Sequence, residues 1–87
     1  MKVSLKEIQE VFNELIEEKK SREEIASWAS KRQVANDSDN LEFEPASEKK
    51  KIWRSVTYLM GVDLKDMDGS YLHSVENFID FRKKTDI

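Results

Sequence analysis

Apolar residues recur along this chain at intervals of three and four, the spacing that places them on one face of an α-helix. The clearest series lies in the first twenty residues and comprises Leu5, Ile8, Val11, Phe12, Leu15 and Ile16. Ser4 precedes this series and Glu7 lies inside it, and together they form a Ser-x-x-Glu capping box. In this motif the side chain of each residue accepts a hydrogen bond from the backbone amide of the other. The sequence therefore predicts a first helix over residues 5–20.

A second helix is predicted to follow almost without a linker. Ser21 and Glu24 repeat the capping-box pattern, and Ile25 and Trp28 continue an apolar face behind it. The helix is predicted to extend to about Ala35, where Asn, Asp and Ser become frequent. Such a short connection indicates a sharp angle or a hairpin between the two helices.

Two more helices are predicted in the second half of the chain. The third begins near Ala46 or Ser47 and ends before Gly61, a residue that can take the left-handed conformation found after many helices. Its apolar stripe comprises Ile52, Val56, Leu59 and Met60. The fourth follows the N-cap candidate Ser74, and its inward positions comprise Val75, Phe78 and Ile79.

The stretch LKDMDGSYLHSVE, residues 64–76, invites comparison with a calcium-binding EF-hand loop. Its acidic residues match two inner ligand positions, but Leu64 and Val75 occupy the first and twelfth positions, where carboxylates are required. We therefore predict no metal site here. The stretch is instead interpreted as a loop fixed to the helices by its apolar residues, which are Leu64, Met67, Tyr71 and Leu72.

These patterns predict an all-α fold: a single-domain bundle of four helices, residues 1–87, with an acidic loop between helices 2 and 3. The low content of chain-breaking residues, with 2 Gly and 1 Pro, supports this assignment. We expect the helices to pack as two hairpins around one apolar core. Trp28 and Trp53 lie on or beside the predicted core faces, with Trp53 the stronger candidate for surface exposure.

Composition narrows the classes of function. The chain has no Cys, which excludes disulfides, thiolate metal sites and thiol catalysis and favours a reducing, cytoplasmic environment. It has a single His, His73, and no catalytic motif, so neither an enzyme nor a bound cofactor or metal is predicted. No apolar run approaches the roughly 20 residues of a membrane span, so no membrane association is expected.

The most distinctive polar feature is the acidic loop, residues 36–47, which contains no Lys or Arg. Carboxylates there would steer and pair with cationic side chains of a partner, while an apolar ring between them would be buried at the contact. The predicted partner-binding residues are Asp37, Asp39, Glu42, Phe43 and Glu44. The alternative interpretation, a solvated connector between two helices, remains open.

A basic run follows directly and carries the alternative function. Lys49, Lys50, Lys51 and Arg54 open the third predicted helix and would clamp phosphates if this were the second helix of a helix-turn-helix. The net charge of −3 and the neighbouring acidic loop both repel phosphate, so we disfavour a nucleic-acid partner. The alternative is nevertheless specific: a small nucleic-acid-binding regulator that uses the basic start of helix 3.

Three segments carry a resemblance to known proteins. The stretches SREEIASWASKR, IWRSVTYLMGVDL and GSYLHSVENFIDF, within residues 21–83, resemble a group of small helical bacterial proteins of unknown function, some of them associated with toxin–immunity systems. The resemblance implies a cytoplasmic protein that binds and blocks a toxin. The predicted function is therefore a non-catalytic protein-binding module, an immunity-type inhibitor that neutralises a basic toxin domain through an acidic surface.

Overall fold

The structure, a computed structural model, describes all residues from 1 to 87 and contains the four predicted helices. The elements in chain order are β1 (Lys2–Ser4), α1 (Leu5–Ile16), α2 (Arg22–Asp37), β2 (Glu42–Glu44), a 3₁₀ turn (Ala46–Glu48), α3 (Lys49–Leu59) and α4 (Val75–Thr85). The prediction of an all-α fold is wrong. β1 and β2 form a two-stranded parallel sheet, so the domain belongs to the α+β class, although most of it is helical.

The sheet escaped prediction because each strand has three residues and the pairing joins distant parts of the chain. Val3 lies opposite Phe43 in the register, and Val3 is fully buried. Three residues are too few to show the alternation that marks a strand, and a parallel pair has no hairpin turn to announce it. The loop predicted over residues 36–47 therefore contains a strand and a 3₁₀ turn.

The helix starts were predicted more accurately than the ends. The hydroxyl oxygen of Ser4 accepts from the amide of Glu7 at 3.0 Å, and at Ser21 both bonds of the capping box form with Glu24. α1 ends at Ile16, four residues before the predicted end, because residues 17–20 carry only charged side chains and nothing apolar to hold another turn on the core. α2 extends two residues beyond Ala35 to Asp37.

Gly61 does not act as the left-handed residue that the sequence suggested. Among the glycines only Gly69 has a positive φ, of 88°. α3 ends at Leu59, and a Cβ added to Gly61 would come within 3.3 Å of the Leu64 side chain. The absence of a side chain at residue 61 therefore makes room for Leu64 rather than for an unusual backbone turn.

A core of thirteen buried apolar residues is shared by β1, all four helices and Val62. α3 packs mainly on α2, and α4 lies against α1. α4 also meets α3 through aromatic rings, since Tyr58 and Phe81 stack with their centroids 4.0 Å apart and Phe12 stacks on Phe81 at 5.6 Å. Trp28 and Trp53 are half-buried against this core.

The loop between α3 and α4 is not fixed by its apolar side chains, contrary to the prediction. Leu64, Met67, Tyr71 and Leu72 are all exposed, and Met67 is completely so. Polar contacts hold the loop instead. The Tyr71 hydroxyl donates to the Glu23 carboxylate of α2 at 2.6 Å, the Arg22 guanidinium lies over the Tyr71 ring, and within the loop the amide of Asp66 donates to the carbonyl of Ser70 at 2.7 Å.

Candidate nucleic-acid interface

Two helix ends bring basic residues together on one end of the molecule. The Lys51 ammonium lies 3.2 Å from the backbone carbonyl of Asp86 and 3.8 Å from its carboxylate, so the last turn of α4 lies beside the first turn of α3. We call the resulting surface the basic end. It comprises Lys49, Lys50, Lys51 and Arg54 of α3 and Lys83 and Lys84 of α4.

Lys51 differs from the rest of the basic end because its charge is used within the protein. It is half-buried and pairs with the carboxylate of Glu48 at 3.6 Å as well as with Asp86. These contacts join the start of α3 to the end of α4. Lys51 therefore organises the surface, whereas its neighbours supply the free charge.

Lys49, Lys50 and Arg54 are exposed and form no ion pair with any carboxylate of the chain. The Lys49 ammonium lies 5.3 Å from the centre of the Phe43 ring, a cation–π contact that leaves its charge uncompensated. Lys83 and Lys84 are also exposed and unpaired. The basic end thus presents five cationic side chains that no carboxylate of the chain neutralises.

Helix stability does not explain why three lysines open α3. The amino end of a helix carries partial positive charge, so cations there are unfavourable and carboxylates are preferred. The first turn of α3 contains no acidic residue, and its N-cap makes no side-chain hydrogen bond. The helix dipole and the lysine ammonium groups therefore add up to a positive surface that suits an anion, while the Lys49 amide already donates to the carbonyl of Ala46 in the 3₁₀ turn.

The arrangement is not a helix-turn-helix that ends in α3. Residues 38–48, including β2 and the 3₁₀ turn, separate α2 from α3, whereas that motif needs a turn of about three or four residues. α1 and α2 are closer in the chain, but α2 begins with Glu23 and Glu24, which repel phosphate. α3 is therefore the helix whose start suits phosphate. It follows a strand and a 3₁₀ turn, and not the short turn of the helix-turn-helix that the sequence suggested.

The predicted partner-binding residues lie in one acidic segment, residues 37–44. Asp37 ends α2, Asp39 has a positive φ of 57°, and the other three residues form β2. Strand pairing brings Lys2 to this segment, where its ammonium lies 3.1 Å from the carboxylate of Glu44. The hydrogen bond and charge of Glu44, with a further contribution from Glu42, raise the pKa of Lys2.

Phe43 takes part in the fold rather than standing free. It is half-buried against the core, and its ring meets Trp53 edge-on with the centroids 6.2 Å apart. The acidic segment is thus partly neutralised by Lys2, and its apolar ring is already packed. A partner-binding role for Asp37, Asp39, Glu42, Phe43 and Glu44 stays a prediction.

The remaining polar groups do not converge on a reactive centre. His73 lies beside the Tyr58 ring with the centroids 5.5 Å apart, and its backbone carbonyl accepts from the Arg22 guanidinium. Burial raises the pKa of the Tyr58 hydroxyl. No three His, Asp or Glu side chains are grouped as metal ligands, and none of the helices has the length and apolar character needed to cross a membrane.

A mainly helical α+β domain with exposed, unpaired cations at one helix start has the features by which small nucleic-acid-binding domains contact phosphate. Residues 2–85 match the family described as YxzC DNA-binding protein, and the chain belongs to this family. It is 34% identical over 64 residues to the uncharacterized protein YxzC of Bacillus subtilis (strain 168). That match covers 74% of this chain and 47% of the relative, so the chain spans about half the length of the relative. No solved structure matches it.

The family overturns the leading functional prediction. A family of DNA-binding proteins contradicts the predicted toxin inhibitor and its description as an immunity and protein-binding module. It also contradicts the expectation that a nucleic-acid partner is unlikely, and it favours the alternative function, a small nucleic-acid-binding regulator. The resemblance to small uncharacterised bacterial proteins holds only at that level, since nothing links the chain to toxin–immunity systems. The error came from using the net charge of −3, a sum over the whole chain, where phosphate responds to local unpaired charge.

Lys83 and Lys84 are the members of the basic end that the sequence analysis missed. Cations in the last turn of a helix interact favourably with its dipole, so lysines at this position of α4 give no separate sign of a binding surface. Only the contact of Lys51 with Asp86 shows that this turn lies beside the start of α3.

Proposed function

We propose that this protein binds DNA and that the basic end is the contact surface. Lys49 and Lys50 contact the phosphate backbone, Lys83 and Lys84 extend the same surface, and Arg54 lies one turn further along α3. The observation that carries the proposal is that these cations are exposed and unpaired in a chain whose net charge is negative. The description of the family as DNA-binding supports the same conclusion.

The charge along α3 fixes which part of it contacts DNA. Its first two turns are basic, whereas the loop beyond its end carries Asp63, Asp66 and Asp68. Phosphates therefore meet the start of α3, where the positive end of the helix dipole reinforces the lysines. The cytoplasmic location and the absence of catalysis and cofactors, expected from the composition, form part of this proposal.

The test is a titration of duplex DNA with the protein at several salt concentrations, followed by fluorescence anisotropy. If the four unpaired lysines contact phosphate, the slope of log K against log salt is about −3.6, because each contact contributes about −0.9. The triple variant Lys49→Gln, Lys50→Gln, Arg54→Gln weakens binding and brings the slope to about −1.8.

A matched control removes the same charge elsewhere. Lys6, Lys31 and Lys65 are exposed and form no ion pair. Changing these three to Gln is expected to leave the slope near that of the natural protein. Equal effects of the two triple variants would show that overall charge alone matters, and no binding by the natural protein at low salt would refute the proposal.

A further inference from the structure

Arg54 is the one arginine whose guanidinium has no partner in the protein. Arg22 donates to the carbonyl of His73 and stacks on the Tyr71 ring at 4.2 Å. Arg32 donates to the carbonyl of Trp28, and Arg82 donates to the side chain of Asn13. The chain has four arginines, and the fold uses three of them.

Arg54 also has the central position on the outward face of α3. The opposite face of α3 carries Ile52, Val56 and Leu59, which are completely buried. Lys50 and Thr57, four residues before and three residues after Arg54, are exposed on its side of the helix. A helix that presents one row of exposed residues with an arginine at its centre has the layout needed to enter the major groove of duplex DNA.

Thr57 contributes an apolar group to this row. Its hydroxyl donates to the backbone carbonyls of Trp53 at 3.1 Å and Arg54 at 2.9 Å. The hydroxyl is therefore engaged by the helix itself, and the methyl group is left for contact with a ligand, such as the methyl group of thymine.

The aromatic residues of α3 are unsuited to single-stranded DNA. Binding of single strands relies on exposed rings on which bases stack. Trp53 meets Phe43 edge-on, and Tyr58 is stacked against Phe81. Both rings are half-buried, so the outward face of α3 offers a cationic fork and no stacking platform.

We infer that Arg54 reads a base in duplex DNA, by donating two hydrogen bonds to O6 and N7 of a guanine in the major groove, while Lys49 and Lys50 hold the flanking phosphates. The inference rests on the proposed DNA-binding function. A guanidinium presents two parallel donors that match these two acceptors, whereas a lysine ammonium acts as a point charge. Arg54 is then a specificity-determining residue, and the lysines determine affinity.

The experiment starts from a library of duplexes with a randomised central segment, selected on the natural protein. The measured quantity is the ratio of affinities for the enriched duplex and for a shuffled duplex of the same composition. Arg54→Lys keeps the charge, so we expect nearly unchanged affinity for the shuffled duplex and a ratio reduced about tenfold. Lys50→Gln is the contrasting variant and should weaken binding to both duplexes by a similar factor.

A second measurement isolates the contact. Each enriched guanine is replaced in turn by 7-deazaguanine, which lacks the N7 acceptor. One such replacement should weaken binding by the natural protein several-fold and leave binding by an Arg54→Ala variant nearly unchanged, because the alanine side chain has no donor for the base. Arg54 is exposed and makes no side-chain contact that the fold needs, so both proteins are expected to be folded.

The possible failures are distinct. If the natural protein binds duplexes but enriches no sequence, or if Arg54→Ala retains the full ratio, base reading by Arg54 is refuted while DNA binding stands. If the natural protein binds no duplex at low salt, the proposed function fails and this inference fails with it.

Discussion

The acidic segment and the α3 part of the basic end are neighbours in the chain and carry four like charges each, but their partners in the fold come from different elements. The acidic segment holds Asp37, Asp39, Glu42 and Glu44. β1 brings Lys2 to Glu44, and the Met1 amino group donates to the carbonyl of Asn40 at 2.9 Å. Of the basic end, only Lys51 meets carboxylates of the chain, while its other cations stay free.

The comparison teaches that charges have to be assessed one by one, because in each run one side chain is paired and three are left free for a partner. Exposed ion pairs add little stability, but they remove charge from the set available to a partner. The two regions also meet at Phe43, which packs on Trp53 of α3 and lies under the Lys49 ammonium. Mutations that remove the partners of the acidic segment, or the Phe43 contacts between the two regions, should therefore have measurable effects on stability, DNA binding and the pKa of Lys2.

The largest effect is expected from a mutation that separates β1 from β2. Val3→Asp places a carboxylate at a completely buried position, and we expect it to lower the free energy of unfolding by at least about 3 kcal/mol. The whole domain is worth only about 4–13 kcal/mol, so the loss is large. Urea denaturation followed by circular dichroism measures it. Val34→Asp, at a position 64% exposed, is the control and should cost less than about 1 kcal/mol.

If Val3→Asp cost no more than its control, β1 would contribute little to the fold. The pairing of Lys2 with the acidic segment would then not depend on the sheet, and the compensation described above would lose its structural basis.

The junction between the two regions is tested by Phe43→Ala. The ring is half-buried and packs on Trp53, so its removal should lower the free energy of unfolding by about 2 kcal/mol, less than for a fully buried Phe. Leu72→Ala, at an exposed position, is the control in the same urea denaturation experiment. An unchanged stability for Phe43→Ala would instead favour the predicted role of Phe43 as a free anchor for a partner.

The helices and their starts could be predicted because they depend on residues close together in the chain. The apolar stripe of α1 and the capping boxes at Ser21 and Ser74 are local patterns, and the structure contains all of them. The pairing of Val3 with Phe43 could not be predicted in this way, because two three-residue strands far apart in sequence produce no pattern of their own.

The sequence could predict which basic residues open α3, but not which of them form ion pairs. The residues of the basic run at the start of α3 are visible in the sequence. That Lys51 is bound to Asp86, and that Lys83 and Lys84 lie next to it, depends on how α4 packs. Compensation of Glu44 by Lys2 depends in turn on the unforeseen sheet. The sequence therefore shows two charged runs but not which of their side chains the fold leaves without an ion pair.

Neutralising the acidic segment should affect DNA binding in the opposite direction from neutralising the basic end. Glu42→Gln with Glu44→Gln removes two carboxylates near Lys49 and frees Lys2, so we expect duplex DNA to bind about two- to fivefold more tightly at low salt. The effect should vanish at high salt. Fluorescence anisotropy measures it, with Glu18→Gln plus Glu76→Gln as a matched pair of exposed sites. Weaker binding would mean that the acidic segment itself contacts the ligand.

The smallest expected effect is a change in the pKa of Lys2, the cation that pairs with Glu44. The hydrogen bond and charge of Glu44 raise the pKa of this ammonium in the folded state. A raised folded-state pKa means that the pair stabilises the fold below the ordinary lysine pKa of about 10.4, and that this contribution is lost as pH rises through the folded-state value. Glu44→Gln should therefore lower the pKa of Lys2, which an NMR titration of the lysine side chains measures.

Lys19 provides the internal control for that titration, because the hydrogen bond and charge of Glu17 raise its pKa independently of the sheet. In the Glu44→Gln variant the pKa of Lys19 should stay raised while that of Lys2 falls. If the pKa of Lys2 did not move, Glu44 would not be compensated by β1. The acidic segment would then hold four free carboxylates instead of three, and its field would oppose phosphate at the neighbouring start of α3 more strongly than the paired geometry implies.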